Sequence, residues 1–107
     1  MIYHLTLPEY WEPALETGQY EHPTYKTEGF IHCSTKEQLY RSAAKHFSDK
    51  DEILVLFLVE KRIKDKLRWE AAKSGELFPH IYGTIPVETV ESVRMLIRKS
   101  DGEYELD

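Results

Sequence analysis

Three histidines stand in short apolar, strand-like segments of this 107-residue chain. His4 lies in Ile2-Tyr3-His4-Leu5, His32 in Phe30-Ile31-His32-Cys33 and His80 in Phe78-Pro79-His80-Ile81. Imidazole titrates near neutrality, so such a set suits proton transfer, ligand hydrogen bonding or metal coordination. Side chains of a strand alternate between its two faces. Alternation groups His4 with Ile2 and Thr6, His32 with Phe30 and Ser34, and His80 with Phe78 and Tyr82, and it lets the three rings line one concavity. Convergent polar groups in apolar walls mark ligand sites; a lone histidine in such a strand reads as a core residue with one hydrogen bond.

Other reactive types need the same test of direction. Cys33 follows His32 directly, so the two face opposite sides and make no thiolate–imidazole pair; Cys33 reads as a small buried hydrophobe. Ser34-Thr35-Lys36-Glu37 matches a capping box, with Ser34 as the cap of a helix. The free amides of that helix start would suit a phosphate or carboxylate, assisted by Lys36 or Arg68; Ser34 as a cap alone is the plainer alternative. In Leu67-Arg68-Trp69-Glu70 a carboxylate adjoins a large aromatic, where desolvation would raise its pKa for acid–base work. Pairing of Glu70 with Arg68, or simple solvation, is the competing reading. His4, His32 and His80 would also serve a zinc ion with an open fourth position, but metal-motif spacing is absent and no metal ligand is assigned.

Positioning these residues falls to a single domain, 1–107. Hydrophobic residues make up 41% and charged residues 31% of the chain, as in an ordered globular protein. A net charge of −5 argues against bulk nucleic-acid binding, which needs clustered Lys and Arg. The longest apolar run, Ile53 to Val59, is far short of the roughly 20 residues that cross a bilayer, so no membrane association is expected. Ile2-Tyr3-His4-Leu5 is expected to be folded structure rather than a leader. The single Cys33 suits a reducing compartment, and a cytoplasmic location is expected.

Ile2 to Thr6 reads as a strand, and Pro8 to Gly18 as a helix with Tyr10, Trp11, Ala14 and Leu15 on one stripe. Gln19 to Thr27 reads as a loop, with Tyr20, His22 and Tyr25 as a candidate lid. A strand at Phe30 to Cys33 precedes a helix whose stripe is Leu39, Ala43 and Phe47. Ile53 to Val59 is uninterrupted and apolar, which fits a central strand covered on both faces. Leu67 to Glu70 is a further strand with Arg68 and Glu70 on one face and Trp69 on the other. Pro79 places the next segment at an edge or a strand beginning. Ser92 to Arg98 alternates, and Asp101-Gly102 marks a hairpin towards Tyr104 and Leu106. The sum is an α+β fold with about two helices and a mixed or antiparallel sheet.

Ile2-Tyr3-His4-Leu5, Trp11, Glu28-Gly29-Phe30-Ile31-His32-Cys33-Ser34, Leu67-Arg68-Trp69-Glu70 and Phe78-Pro79-His80-Ile81-Tyr82-Gly83 together resemble the family of small bacterial proteins called domain of unknown function 952. The resemblance runs from Ile2 to about Leu96. It implies the ADP-ribosyltransferase-like fold, a curved, split sheet that holds NAD in a cleft. It implies a first-strand histidine on a ribose hydroxyl, which His4 matches, and a nicotinamide-pocket residue, to which Ser34 with neighbouring His32 is nearest. The later catalytic Glu of such enzymes has no counterpart near Phe78 to Gly83, where His80 and Tyr82 stand; Glu70 is the substitute. Related RNA 2′-phosphotransferases use Arg and His instead.

The expected function is a cleft for NAD, ADP-ribose or another nucleotide, with transferase activity. His4, His32 and His80 are its candidate catalytic residues. Ser34, Thr35, Arg68, Trp69, Glu70 and Tyr82 are its candidate ligand contacts, with Tyr82 on the base and Arg68 on phosphate. No cofactor is specified by the residues; NAD enters as substrate or ligand. The alternatives are a non-catalytic metabolite-binding module and a three-histidine metal-dependent hydrolase. Oligomeric state is not specified.

Overall fold

A computed structural model describes residues 1–107. In chain order the elements are β1 (Ile2–Thr6), α1 (Pro8–Thr17), β2 (Gln19–Tyr20), α2 (Pro23–Glu28), β3 (Ile31–His32), α3 (Lys36–His46), β4 (Glu52–Leu58), β5 (Leu67–Ala71), β6 (Leu77–Ile81), β7 (Ile85–Pro86), β8 (Val90–Arg98) and β9 (Tyr104–Leu106). Single 3-10 turns lie at Glu60–Arg62 and Val87–Thr89. The protein is α+β with antiparallel pairing throughout, in the orders β1-β4-β8-β9, β3-β6-β5 and β2-β7.

The apolar run of β4 lies between β1 and β8, and its alternate residues enter different cores. Ile53 and Val55 pack with Tyr3, Leu5 and Leu96 beneath Leu39 and Ala43 of α3. Leu56 and Leu58 pack on the other face with Ile2, with Trp11 and Ala14 of α1, and with Ile31 and Ile81 of the second sheet. Each such side chain, removed from water, contributes roughly 1.5–3 kcal/mol, so the first sheet is held from both sides. Gly18 ends α1 in the left-handed conformation at φ +83°, which an L side chain adopts only with strain.

Three expectations are corrected. The stretch Gln19 to Thr27 is not a loop. Tyr20 pairs with Ile85, its side chain is fully buried, and it belongs to the core rather than to a lid. Pro23 then opens α2, and Gly29 closes it at φ +87°. Six residues with no buried member give such a helix no readable period. The notched ends, a proline at the first turn and a glycine after the last, were its only sequence marks.

The cap of α3 is Thr35 rather than Ser34. Thr35 Oγ1 accepts from the Gln38 amide, and Gln38 Oε1 accepts from the Thr35 amide. The register shifts by one because Gln38, buried, also donates to the Leu77 carbonyl at 2.8 Å and so ties α3 to β6. Thr35→Ala is therefore expected to cost about 1 kcal/mol in urea denaturation, and Ser34→Ala roughly half of that or less. Equal costs would contradict this assignment of the cap.

Pro79 is buried in β6, the middle strand of its sheet, and not at an edge. In an antiparallel strand the amide and carbonyl of one residue point to the same neighbour. The Pro79 carbonyl accepts from the Cys33 amide at 3.0 Å, just past the two-residue β3. Its ring nitrogen therefore faces the side where pairing has ended, and no ladder bond towards β5 is lost.

Candidate functional site

The chain leaves β3 after His32, and two residues later Ser34 pairs with Tyr3 at the free edge of β1. The two bonds are Tyr3 N to Ser34 O at 2.9 Å and Ser34 N to Tyr3 O at 2.7 Å. This single bridge joins the first sheet to the second. At the junction lies a cleft of about 510 Å³, within the size range of small-ligand sites. β1, β3, β5, β6, α2 and the C-terminal half of α3 all supply its walls, and all five histidines of the chain line it: His4, His22, His32, His46 and His80.

His4 forms the deepest part and is 2% exposed. Its Nδ1 lies 2.7 Å from the His32 carbonyl, and its Nε2 lies 2.7 Å from the Tyr20 hydroxyl. A carbonyl only accepts, so Nδ1 carries the hydrogen. Burial, followed by the nearby His22, pushes His4 down to about 3, so the ring is neutral and Nε2 accepts from Tyr20. The phenol oxygen is in turn 2.7 Å from Thr6 Oγ1. Both nitrogens of His4 are thus committed within the protein. Neither a proton, a ribose hydroxyl nor a metal ion finds a free ring atom there, which corrects the expected catalytic role of His4.

His32 and His80 are held differently. They are directly paired in the β3–β6 register, so their rings share a face, 5.1 Å apart between centroids. His80 Nδ1 donates to Glu70 Oε1 at 2.7 Å, leaving Nε2 unbonded. The Tyr82 hydroxyl donates to that same oxygen at 2.6 Å. His32 Nε2 donates to Glu28 at the end of α2, leaving its Nδ1 unbonded. Phe30 stacks on the His80 ring at 4.3 Å. Each imidazole therefore has one nitrogen oriented by a carboxylate and one without a protein partner, the arrangement of an acid–base histidine.

Hydrogen bonds from Tyr82 and then His80 hold Glu70 below the usual carboxylate range, and the Tyr82 phenol is pushed up in return. The expected rise of the Glu70 pKa beside Trp69 is thus reversed. Trp69 projects from the opposite face of β5, where it is exposed, and cannot desolvate its neighbour's carboxylate.

The remaining candidates divide. Ser34 lines the cleft, buried, with its hydroxyl donating to Ser42 at 3.2 Å. The Thr35 hydroxyl is committed to the cap. Trp69, Arg68 and Tyr82 are not among the lining residues; Arg68 sits over the Tyr82 ring, 5.7 Å from its centroid. Cys33 reaches the cleft floor, but burial pushes its thiol up, which makes it a poor nucleophile. No three His, Cys, Asp or Glu side chains are placed to hold a metal ion, and with His4 closed the three-histidine metal set does not fit.

Among the titratable lining groups, His46, Glu28 and Lys45 were not foreseen as site residues, and His22 was expected only as part of a lid. His22 is the cap of α2, accepting from the Thr24 amide, and lies 5.0 Å from His4 between ring centroids. Burial and then His32 push it down to about 4. The usable signal was the proline directly after His22, which marks a helix start. For Glu28 it was the four-residue step to His32, and for His46 and Lys45 nothing local distinguishes them from a solvated helix end.

The family described as "Protein of unknown function (DUF952)" matches residues 5–93. Among solved structures, the crystal structure of protein CC0527 from Caulobacter crescentus is 30% identical, with a TM-score of 0.88 over 97% of this chain and 92% of that one. The solution NMR structure of the same protein is 31% identical, with a TM-score of 0.82 over 95% and 89%. No curated protein matches the chain. No helix is long and apolar enough to cross a membrane.

Proposed function

The chain belongs to the DUF952 family of proteins of unknown function, and from that premise we propose that its histidine-lined cleft binds a nucleotide-like small molecule of the NAD or ADP-ribose type. One observation carries this reading: two carboxylate-oriented imidazoles, His32 with Glu28 and His80 with Glu70, open into one cleft of about 510 Å³. The ADP-ribosyltransferase-like fold implied by the resemblance supports the ligand class, since it too places its ligand in the gap of a split sheet. As a transferase, the protein would use His80 Nε2 to take the proton of an attacking hydroxyl, with Glu70 stabilising the imidazolium.

A second reading, binding without transfer, draws on His4. The first-strand histidine that should meet a ribose is tied to His32 and Tyr20 instead. Incubation with NAD separates the two readings: release of nicotinamide marks the transferase, and intact bound NAD the binding module.

Ligand binding to the native state raises its melting temperature, so NAD or ADP-ribose at millimolar concentration is expected to shift the thermal transition. His80→Gln should weaken that binding about tenfold or more, since hydrogen bonds of this type contribute roughly 1.5 kcal/mol or above, while circular dichroism stays that of the parent. An unmoved transition with both ligands would sink the proposal.

A further inference from the structure

Within the nucleotide reading just given, we infer that the cleft grips its ligand by the vicinal diol of a sugar and not by phosphate. Three acceptors on its wall have no protein partner. His80 Nε2 and His32 Nδ1 have no protein partner once their other nitrogens are donated to carboxylates. Tyr82 and His80 converge on one oxygen of Glu70, so the second oxygen is open. The open oxygen of Glu70 beside an unbonded imidazole nitrogen is a matched pair of acceptors for two neighbouring hydroxyl donors.

The cationic side chains that phosphate would need are scarce. Lys45 is the one Lys or Arg among the lining residues. Helix-start amides, the other common anion ligands, are not offered: only the C-terminal half of α3 lines the cleft, and at the start of α2 the Thr24 amide is taken by His22. His22, pushed down to about 4, brings no positive charge at neutral pH. Glu28 and Glu70 on the wall repel a phosphate that enters. Phe78, also on the wall, gives the sugar or base an apolar surface.

Calorimetric titration with adenosine, AMP, 2′,3′-dideoxyadenosine, ribose and inorganic phosphate tests this directly. Adenosine is expected to bind within a few-fold of AMP, and the dideoxy compound about tenfold to a hundredfold more weakly, as loss of hydrogen bonds to charged groups requires. Glu70→Gln should weaken adenosine about tenfold and leave the dideoxy compound unchanged. Ribose binding as tightly as adenosine would keep the diol chemistry and make a free sugar its source. Equal affinities for adenosine and its dideoxy analogue, or AMP binding that inorganic phosphate competes away, overturns the diol alone. If no nucleoside, nucleotide or sugar binds, the nucleotide reading of the cleft fails, and the diol with it.

Discussion

His4→Ala is expected to destabilise the protein by about 3–5 kcal/mol, a large part of the 5–15 kcal/mol typical of a single domain. The side chain is 2% exposed and joins three strands: its own β1, β2 through the Tyr20 hydroxyl, and β3 through the His32 carbonyl. Truncation leaves a partly buried carbonyl without its imidazole donor and a buried phenol with only Thr6. Each unsatisfied group costs roughly 1–3 kcal/mol, and the cavity adds to it. His4→Asn is expected to recover part of the loss, because its amide N–H occupies nearly the position of Nδ1–H and can still reach the His32 carbonyl. Urea denaturation of the parent and both variants is the measurement. If Asn is as harmful as Ala, the hydrogen-bond account is wrong and volume alone matters. Since the lost bond also anchors the backbone of His32, ligand binding should fall further in His4→Ala than in His4→Asn.

Elements whose burial pattern repeats over several residues were legible from sequence. The alternation of Ile2 to Thr6 correctly put Tyr3 and Leu5 on one face and His4 and Thr6 on the other. The uninterrupted run in β4 correctly signalled two covered faces, and Asp101-Gly102 the β8–β9 hairpin, with Gly102 at φ +90°. Features set by one long-range contact were not legible. Gln38 is pulled into the cap of α3 by a carbonyl 39 positions away, and Tyr20 is drawn inward by partners on β1. At the site, alternation brought His4, His32 and His80 to one place, as the shared cleft shows. It could not reveal that His4 is spent on structure, since that depends on which atoms lie beyond the strand. Nor could it distinguish Glu70 bonded to His80 from Glu70 desolvated by Trp69, until pairing of β5 with β6 set which residues faced each other.

Acidification from pH 7.5 to 5 is expected to lower stability by about 2–4 kcal/mol, at roughly 1.4 kcal/mol per pH unit for each proton that the unfolded chain binds in excess. The sign follows from His4 and His22, both lowered from an ordinary value of 6.5, to about 3 and about 4. Between those values and 6.5 the unfolded histidines take up protons that the folded ones refuse, so the unfolded state gains as pH falls. The stabilisation is complete above pH 6.5 and drains away towards pH 3. Burial dominates both shifts; His22 then disfavours charge on His4, and His32 disfavours it on His22. His46, lowered by burial and then by Lys45, acts in the same direction. Glu70 and Glu76, whose carboxyls are held low by Tyr82 and Arg41 respectively, lose their contribution only at more acid pH, below the ordinary carboxylate value of 4.5. The interval from pH 6.5 to 5 therefore isolates the histidines. Urea midpoints measured across it should fall steadily for the parent and less steeply for His4→Asn, which begins lower but carries one fewer buried imidazole. A parent whose stability is flat from pH 7.5 to 5 would mean that His4 is not held neutral by its burial, and the assignment of Tyr20 as donor to its Nε2 would fall with it.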